Sequence, residues 1–158
     1  IKNYGGFEIG VAAFPDGHPA SKGNFQKDIE VLLRKESLGA TFATTQFFFE
    51  ASHYFKLIEA LNQAKSKLKV IPGVLPITNI KQLRRMTELS GTKIPLGLEQ
   101  LFTIEMSPEE VVKVGIDWAT KFSTELIEGG ASGLHFYTMN TAKSTIEIVR
   151  NLGLSSVV

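Results

Sequence analysis

A glutamine followed by three phenylalanines, Gln46-Phe47-Phe48-Phe49, is the most chemically pointed group in the chain. A side-chain amide set in so apolar a run is costly to bury without a partner. It both donates and accepts, so a bound ligand can supply that partner, as can a backbone group. The three phenylalanines read as core and wall, because both faces of a buried parallel strand are covered. A second group centres on His18, which stands in a loop before Pro19 and is otherwise an ordinary turn residue. Ten positions on, Asp28 opens a set with Arg34 and Lys35. Asp28 and Lys35 share a helix face beside Ile29, Leu32 and Leu33. Cations there suit phosphate, Arg34 by bidentate hydrogen bonds, although the plainer reading is a solvated helix face.

These residues need elements to hold them. Residues 7–14 form a short apolar run that stops at Pro15, the pattern of a buried parallel strand. A turn-rich loop with Gly17, Pro19 and Gly23 follows, then helical spacing from Asn24 with Gly39 where a cap is expected. The alternation continues with strands over 43–49 and 70–75 and helices over 52–64 and 79–89. After a looser stretch at 93–106, Ser107-Pro108-Glu109-Glu110 supplies an N-cap, a first-turn proline and first-turn acids for a helix to Glu128, closed by Gly129-Gly130. A strand over 133–138 and a helix over 142–152 complete the series. Four βα units predict a parallel α/β fold, either a small open sheet or half of a (β/α)8 barrel, and a complete barrel needs about 250 residues. At 158 residues the chain suits the half barrel. Such a half leaves two strand edges and an inner face uncovered, so it predicts cover from a complementing half, from a second copy, or from an altered packing of its own helices.

Composition narrows the functions. The chain is 43% hydrophobic and 21% charged, enough for one globular core, and its net charge of +1 lacks the basic concentration that nucleic acid or an anionic membrane demands. It has no cysteine, and its three histidines, His18, His53 and His135, are scattered, so neither disulfides nor a metal site is expected. No run approaches a membrane span, and residues 1–6 lack signal-peptide character, which makes the cytoplasm the expected compartment unless a preceding segment carried a targeting signal.

In parallel α/β folds ligands gather at the C-terminal ends of strands. Here those ends read Ala13-Phe14-Pro15-Asp16-Gly17-His18-Pro19, Thr45-Gln46-Phe47-Phe48-Phe49, Ile71-Pro72-Gly73-Val74-Leu75-Pro76-Ile77 and His135-Phe136-Tyr137-Thr138-Met139-Asn140. In this order and at these separations they resemble the last four strand ends of the flavin-dependent methylenetetrahydrofolate reductase family, across nearly the whole chain. The resemblance implies that residues 1–158 form the C-terminal half of a TIM (β/α)8 barrel whose N-terminal half is absent from this chain. It further implies an oxidoreductase in which NADH or NADPH reduces FAD, and the reduced flavin reduces 5,10-methylenetetrahydrofolate to 5-methyltetrahydrofolate. By the same match, Phe14 and His18 lie against the flavin, while Asp28, Arg34 and Lys35 contact its ribityl and diphosphate portions. Gln46 faces the folate and nicotinamide side, and Gln82 contacts the pterin end, with Pro72, Gly73 and Pro76 shaping the loop before it. Met86 stands where some relatives carry Phe against folate, a tolerable apolar exchange.

Two departures matter. The family's last motif usually continues Asn-Arg, and this chain has Asn140-Thr141, with Lys143 nearby as a point charge rather than a planar fork. The family's general acid and a further acidic flavin-tuning residue belong to the other half, so no catalytic residue is named here and the chain alone is predicted inactive. The competing expectation is a non-catalytic half barrel that dimerises as a binding or assembly module. A phosphate-binding fragment of an unrelated barrel has no glycine-rich loop to support it. Trp118 is expected to pack on the outside, and His135 and Tyr137 to lie on the last strand near the mouth.

Overall fold

The structure is a computed structural model and describes residues 4–154; the outermost ends of the expected 1–158 unit lie outside the described residues. Four parallel strands, β1 (Gly10–Ala13), β2 (Phe42–Phe47), β3 (Lys69–Val74) and β4 (His135–Phe136), form one sheet in the order β1-β2-β3-β4. Helices α1 (Phe25–Ser37), α2 (Ala51–Gln63), α3 (Ile80–Ser90), α4 (Leu96–Glu99), α5 (Pro108–Glu128) and α6 (Lys143–Asn151) connect and follow them. The sequential parallel order with intervening helices is that of a partial (β/α)8 barrel.

Local chemistry sets the helix ends. The Asn24 side chain accepts from the Lys27 amide at 3.1 Å to begin α1, and Asn79 does the same for Gln82 at 3.1 Å to begin α3. Before α5, Ser107 and Glu110 form the reciprocal capping box that their spacing predicts, and Gly130, at φ 96, turns the chain away at the other end.

Alternation along the strands separates two faces. Ala13, Ala43, Val70 and Val74 point into the main core, against Ile29 and Leu32 of α1, Leu57 and Leu61 of α2, Leu126 of α5 and Ile148 of α6. Burying side chains of this size contributes about 1.5–3 kcal/mol each, so this face holds the unit together. The opposite positions, Ala12, Phe42, Thr44 and Gln46, are exposed or half-buried: this is the inner face of the partial barrel.

A second cluster, Phe47, Phe49, Leu75, Ile77, Leu83 and Leu98, fills the end of the sheet from which the site rises. Trp118 joins the two clusters rather than lying outside them, stacking on Phe122 at 5.0 Å and tilting against Phe49 at 5.7 Å.

The outer strands are shorter than their apolar runs. Residues 7–9 lie outside β1, although the Ile9 carbonyl accepts from the Thr41 amide at 2.9 Å, and Phe7 is 71% exposed, since β1 has a sheet neighbour on one side only among the described residues. For the same reason β4 contracts to His135–Phe136 within the expected 133–138. The stretch at 93–106 contains the single-turn α4, whose Pro95 and Gly97 hide any helical period. No helix among the described residues is long and apolar enough to cross a membrane.

Candidate functional site

All four strands end on the same side, and there the β1–α1 junction encloses a cavity of about 400 Å³. Its wall includes Ala12 and Phe14 at the end of β1, His18 in the loop, and Lys27, Asp28 and Lys35 on α1, with Val31 and Leu32 between them. Four of the five side chains expected to meet the flavin therefore share one space. Arg34, the fifth, is exposed and is not among the residues that line the cavity.

Each wall group is held by a defined contact. Phe14 and His18 meet edge to face at 4.5 Å. His18 Nδ1 accepts from the Ala20 amide at 3.0 Å, capping the short 3-10 turn Pro19–Ser21. The imidazole is thus part of the loop's own hydrogen bonding, with Nε2 left for solvent or ligand. Asp28 Oδ2 accepts from the His18 amide at 3.1 Å and from the Ser21 hydroxyl at 2.9 Å. Its carboxylate staples the loop to α1, and Gly17, at φ 89, lets the chain turn back over it. Lys35 Nζ donates to the Ala12 carbonyl at 3.1 Å, fixing an ammonium at the end of β1 with further N–H groups unspent.

Gln46 lies on the half-buried inner face near the end of β2, and its Oε1 accepts from the Phe47 amide at 3.0 Å. The acceptor end is locally satisfied and the amide NH2 remains as donor. Beside it the ladder between β2 and β3 is irregular from Thr44 to Phe47. There the buried Thr45 hydroxyl accepts from the Gly73 amide at 2.8 Å, and the Thr45 carbonyl accepts from the Tyr137 hydroxyl at 2.9 Å. A Cβ on Gly73 would sit 2.7 Å from the Tyr137 ring, so only glycine admits this arrangement. Three strands are braced across one bulge, as is common beside functional sites. Burial pushes the Tyr137 hydroxyl above its ordinary value of 10.0, keeping it a donor.

Gln82 sits in the first turn of α3, where its Oε1 lies 3.5 Å from the Thr78 hydroxyl. Met86 is one turn further along and packs on the second cluster. His135 stacks edge to face on Tyr137 at 4.9 Å. Past β4, Met139 and Asn140 both take left-handed backbone conformations (φ 50 and 64), and the Thr141 hydroxyl donates to the Thr138 carbonyl at 2.9 Å. The hydroxyl that replaces the family arginine therefore serves its own turn.

Three contributors were not singled out from sequence. Thr45 and Ser21 looked like ordinary polar residues, and only the fold brings them to Gly73 and Asp28. Lys27 did carry a signal: a cation in the first turn of a helix opposes the macrodipole.

The model of the methylenetetrahydrofolate reductase family matches residues 1–153. The 5,10-methylenetetrahydrofolate reductase of Escherichia coli (strain K12) is 34% identical over 155 residues, covering 98% of this chain and 52% of that protein. The methylenetetrahydrofolate reductase (NADH) 1 of Arabidopsis thaliana is 34% identical over 157 residues, covering 94% of this chain and 26% of that protein. Among solved structures, an uncharacterized protein from Clostridium thermocellum, described as binding two copies of 5-methyl-5,6,7,8-tetrahydrofolic acid, superposes with a TM-score of 0.65 at 16% identity. That superposition covers 94% of this chain and 53% of the other, and it is a likeness of fold. The chain spans about half the length of the bacterial relatives it matches. With a family match along nearly its whole length, carried by strand ends that the fold sets side by side, the chain belongs to the methylenetetrahydrofolate reductase family.

Proposed function

We propose that this chain forms the half of a (β/α)8 barrel that holds the tail of FAD and one side of the folate, in an enzyme that reduces 5,10-methylenetetrahydrofolate to 5-methyltetrahydrofolate. The overall reaction balances as NAD(P)H plus a proton plus methylenetetrahydrofolate giving NAD(P)+ and methyltetrahydrofolate. Activity requires the complementing half, which covers the inner face around Ala12, Thr44 and Gln46. The observation that carries the reading is the convergence of Phe14, His18, Asp28 and Lys35 on one cavity at the strand ends. Family membership and the folate ligand of the Clostridium protein agree with it.

The wall chemistry fits a flavin nucleotide. An edge-to-face aromatic pair offers apolar surface for a ring system, and two lysines on α1 offer charge for phosphate. Hydride relay is the chemistry such a cofactor supplies when bound. This chain's residues bind and orient: Lys35 neutralises, Phe14 and His18 shape the surface, and Gln46 presents its NH2 from a braced strand end. Asp28 is the only acid in the cavity wall among the described residues, and its Oδ2 already serves two donors. It positions the loop, and no proton transfer is assigned to it.

The test is to produce the chain alone and together with its complementing half. Flavin absorption between about 350 and 500 nm and folate-dependent oxidation of NADH or NADPH are expected only for the complemented protein. A complemented protein that folds yet binds no flavin refutes the reading.

A further inference from the structure

We infer that His53 is a positioning residue for the flavin loop: from the first turn of α2 it pins Asp16, and so holds Phe14 and His18 in the placement that a flavin ring needs. The inference rests on the proposed flavin site and adds to it a contact from the neighbouring βα unit. His53 Nδ1 lies 2.7 Å from Asp16 Oδ1, across 37 residues of chain. A carboxylate oxygen only accepts, so Nδ1 donates, and the bond is short and charge-assisted.

Asp16 is placed to pass this contact on. The Gly17 amide donates to the Phe14 carbonyl at 3.0 Å, closing a turn over residues 14–17 in which Pro15 is buried and Gly17 takes φ 89. Phe14 and His18, the edge-to-face pair of the cavity wall, stand on either side of Asp16 in this turn. The Asp28 carboxylate secures the loop only beyond the turn, at the His18 amide and the Ser21 hydroxyl. On its other edge β1 has no sheet neighbour among the described residues, so lateral support for the turn comes from the β2–α2 side.

The surroundings of the ring distinguish this contact from an isolated surface pair. Glu50 occupies the N-cap position of α2 yet makes no side-chain cap bond, and its carboxylate instead lies 3.5 Å from His53 Nε2. Both ring nitrogens thus face carboxylates. Asp16, Glu50, His53, Gly91 and Lys93 line one cavity of about 270 Å³ together with the buried Phe49, so the chain that follows α3 closes over the junction. The buried Thr92 holds that chain in place, its hydroxyl donating to the Phe47 carbonyl at 3.4 Å. The His53 and Asp16 side chains are 41% and 22% exposed, which limits the contact to the strength of a partly screened pair.

The test uses the complemented protein, titrated with riboflavin and with FAD by flavin fluorescence. His53→Ala is expected to raise Kd for both about three- to fivefold, and by the same factor, because the pin acts on the ring surface and not on the phosphate end. Alanine is a strong helix former, so the urea midpoint should hold. Asp16→Ala should show the same loss, and the double variant no more than either single one. His53→Asn carries an amide NH2 in place of the Nδ1 donor and should bring both affinities back to within about 1.5-fold of wild type. A His53→Ala protein that binds as tightly as wild type overturns the inference while the flavin site stands. Additive losses, a loss confined to FAD, or a lowered urea midpoint that asparagine does not restore overturn it equally. A wild-type protein that binds neither flavin removes the site itself, and the inference falls with it.

Discussion

Gly115 lies in the middle of α5, and replacing it with alanine sets two effects of opposite sign against each other. On helix propensity alone, Gly115→Ala stabilises by about 1 kcal/mol. The added methyl, however, would run into the Ile77 carbonyl oxygen and would stand 2.8 Å from the carbonyl carbon and 3.0 Å from Ile77 Cβ. Those separations are roughly 0.5–1 Å inside an optimal carbon contact. The obstacle is backbone in the segment after β3, so no side-chain rotation relieves it. Overpacking of this kind costs about 1–3 kcal/mol, and with a rigid partner the upper part of that range applies. The expected net effect is destabilisation by about 2 kcal/mol, read as a lower urea midpoint at unchanged slope, or as a Tm lower by about 4–8 °C for a chain of this size. Gly97→Ala in α4 is the matched control: nothing stands within 4 Å of the added methyl, so stability should hold or rise slightly. A Gly115→Ala protein as stable as wild type would refute the close packing of α5 on Ile77.

Two further predictions concern parts of the frame outside the cavity. The Tyr54 hydroxyl is buried and donates to the Val70 carbonyl at 2.9 Å, so Tyr54→Phe should cost about 1 kcal/mol in urea denaturation, and an unchanged midpoint would mean that water replaces the bond. Glu110 has its carboxyl held below the ordinary 4.5 by the Ser107 amide first and the Ser107 hydroxyl second. A depressed folded value means stability that is present above the unfolded value and lost as pH falls through the folded one. Glu110→Gln should therefore flatten the acid limb of a stability-versus-pH curve, and an unaltered limb would show that the capping box contributes nothing there.

Short apolar runs without helical period placed all four strands, two of them stopped by Pro15 and Pro76, because a buried parallel strand is covered on both faces. Their true lengths were not legible in the same way. How far Phe7 or Gly133 pairs depends on a neighbour strand, which no local pattern encodes. The four-residue α4 was invisible for a local reason, since a single turn after Pro95 with Gly97 inside it is too short to show a period. At the site, the family resemblance of the strand ends pointed to Phe14, His18, Asp28 and Lys35, where residue types alone favoured a turn residue and a solvated helix face; the fold puts all four on one cavity. What the sequence did not reveal was the division of labour. Asp28, expected as a ligand contact, is found also stapling its loop, and Lys27, not singled out from the sequence, is found in the wall. Both differences come from the β1–α1 loop folding back onto α1, a tertiary event set by Gly17 and by two hydrogen bonds to one carboxylate oxygen.

The brace at Thr45 shows why the most informative sequence motif could be found without its support. Gln46 was legible because an amide before three phenylalanines is chemically odd. The groups that hold it are 28 and 92 residues apart from Thr45 in the chain. A threonine hydroxyl takes the place of a ladder carbonyl for Gly73, and a tyrosine reaches across β3 to the carbonyl of the same threonine. With the hydroxyl and the carbonyl both committed, the bulge resists sliding in either direction, and the residue after it inherits that rigidity. The Gln46 acceptor is then spent on the Phe47 amide, which leaves the NH2 group as the donor end on the inner face, carried by a fixed backbone. A donor held in this way is suited to recognising an acceptor on a ligand's ring edge at small entropic cost, which is what the proposed site, alternating between a nicotinamide and a folate, would demand.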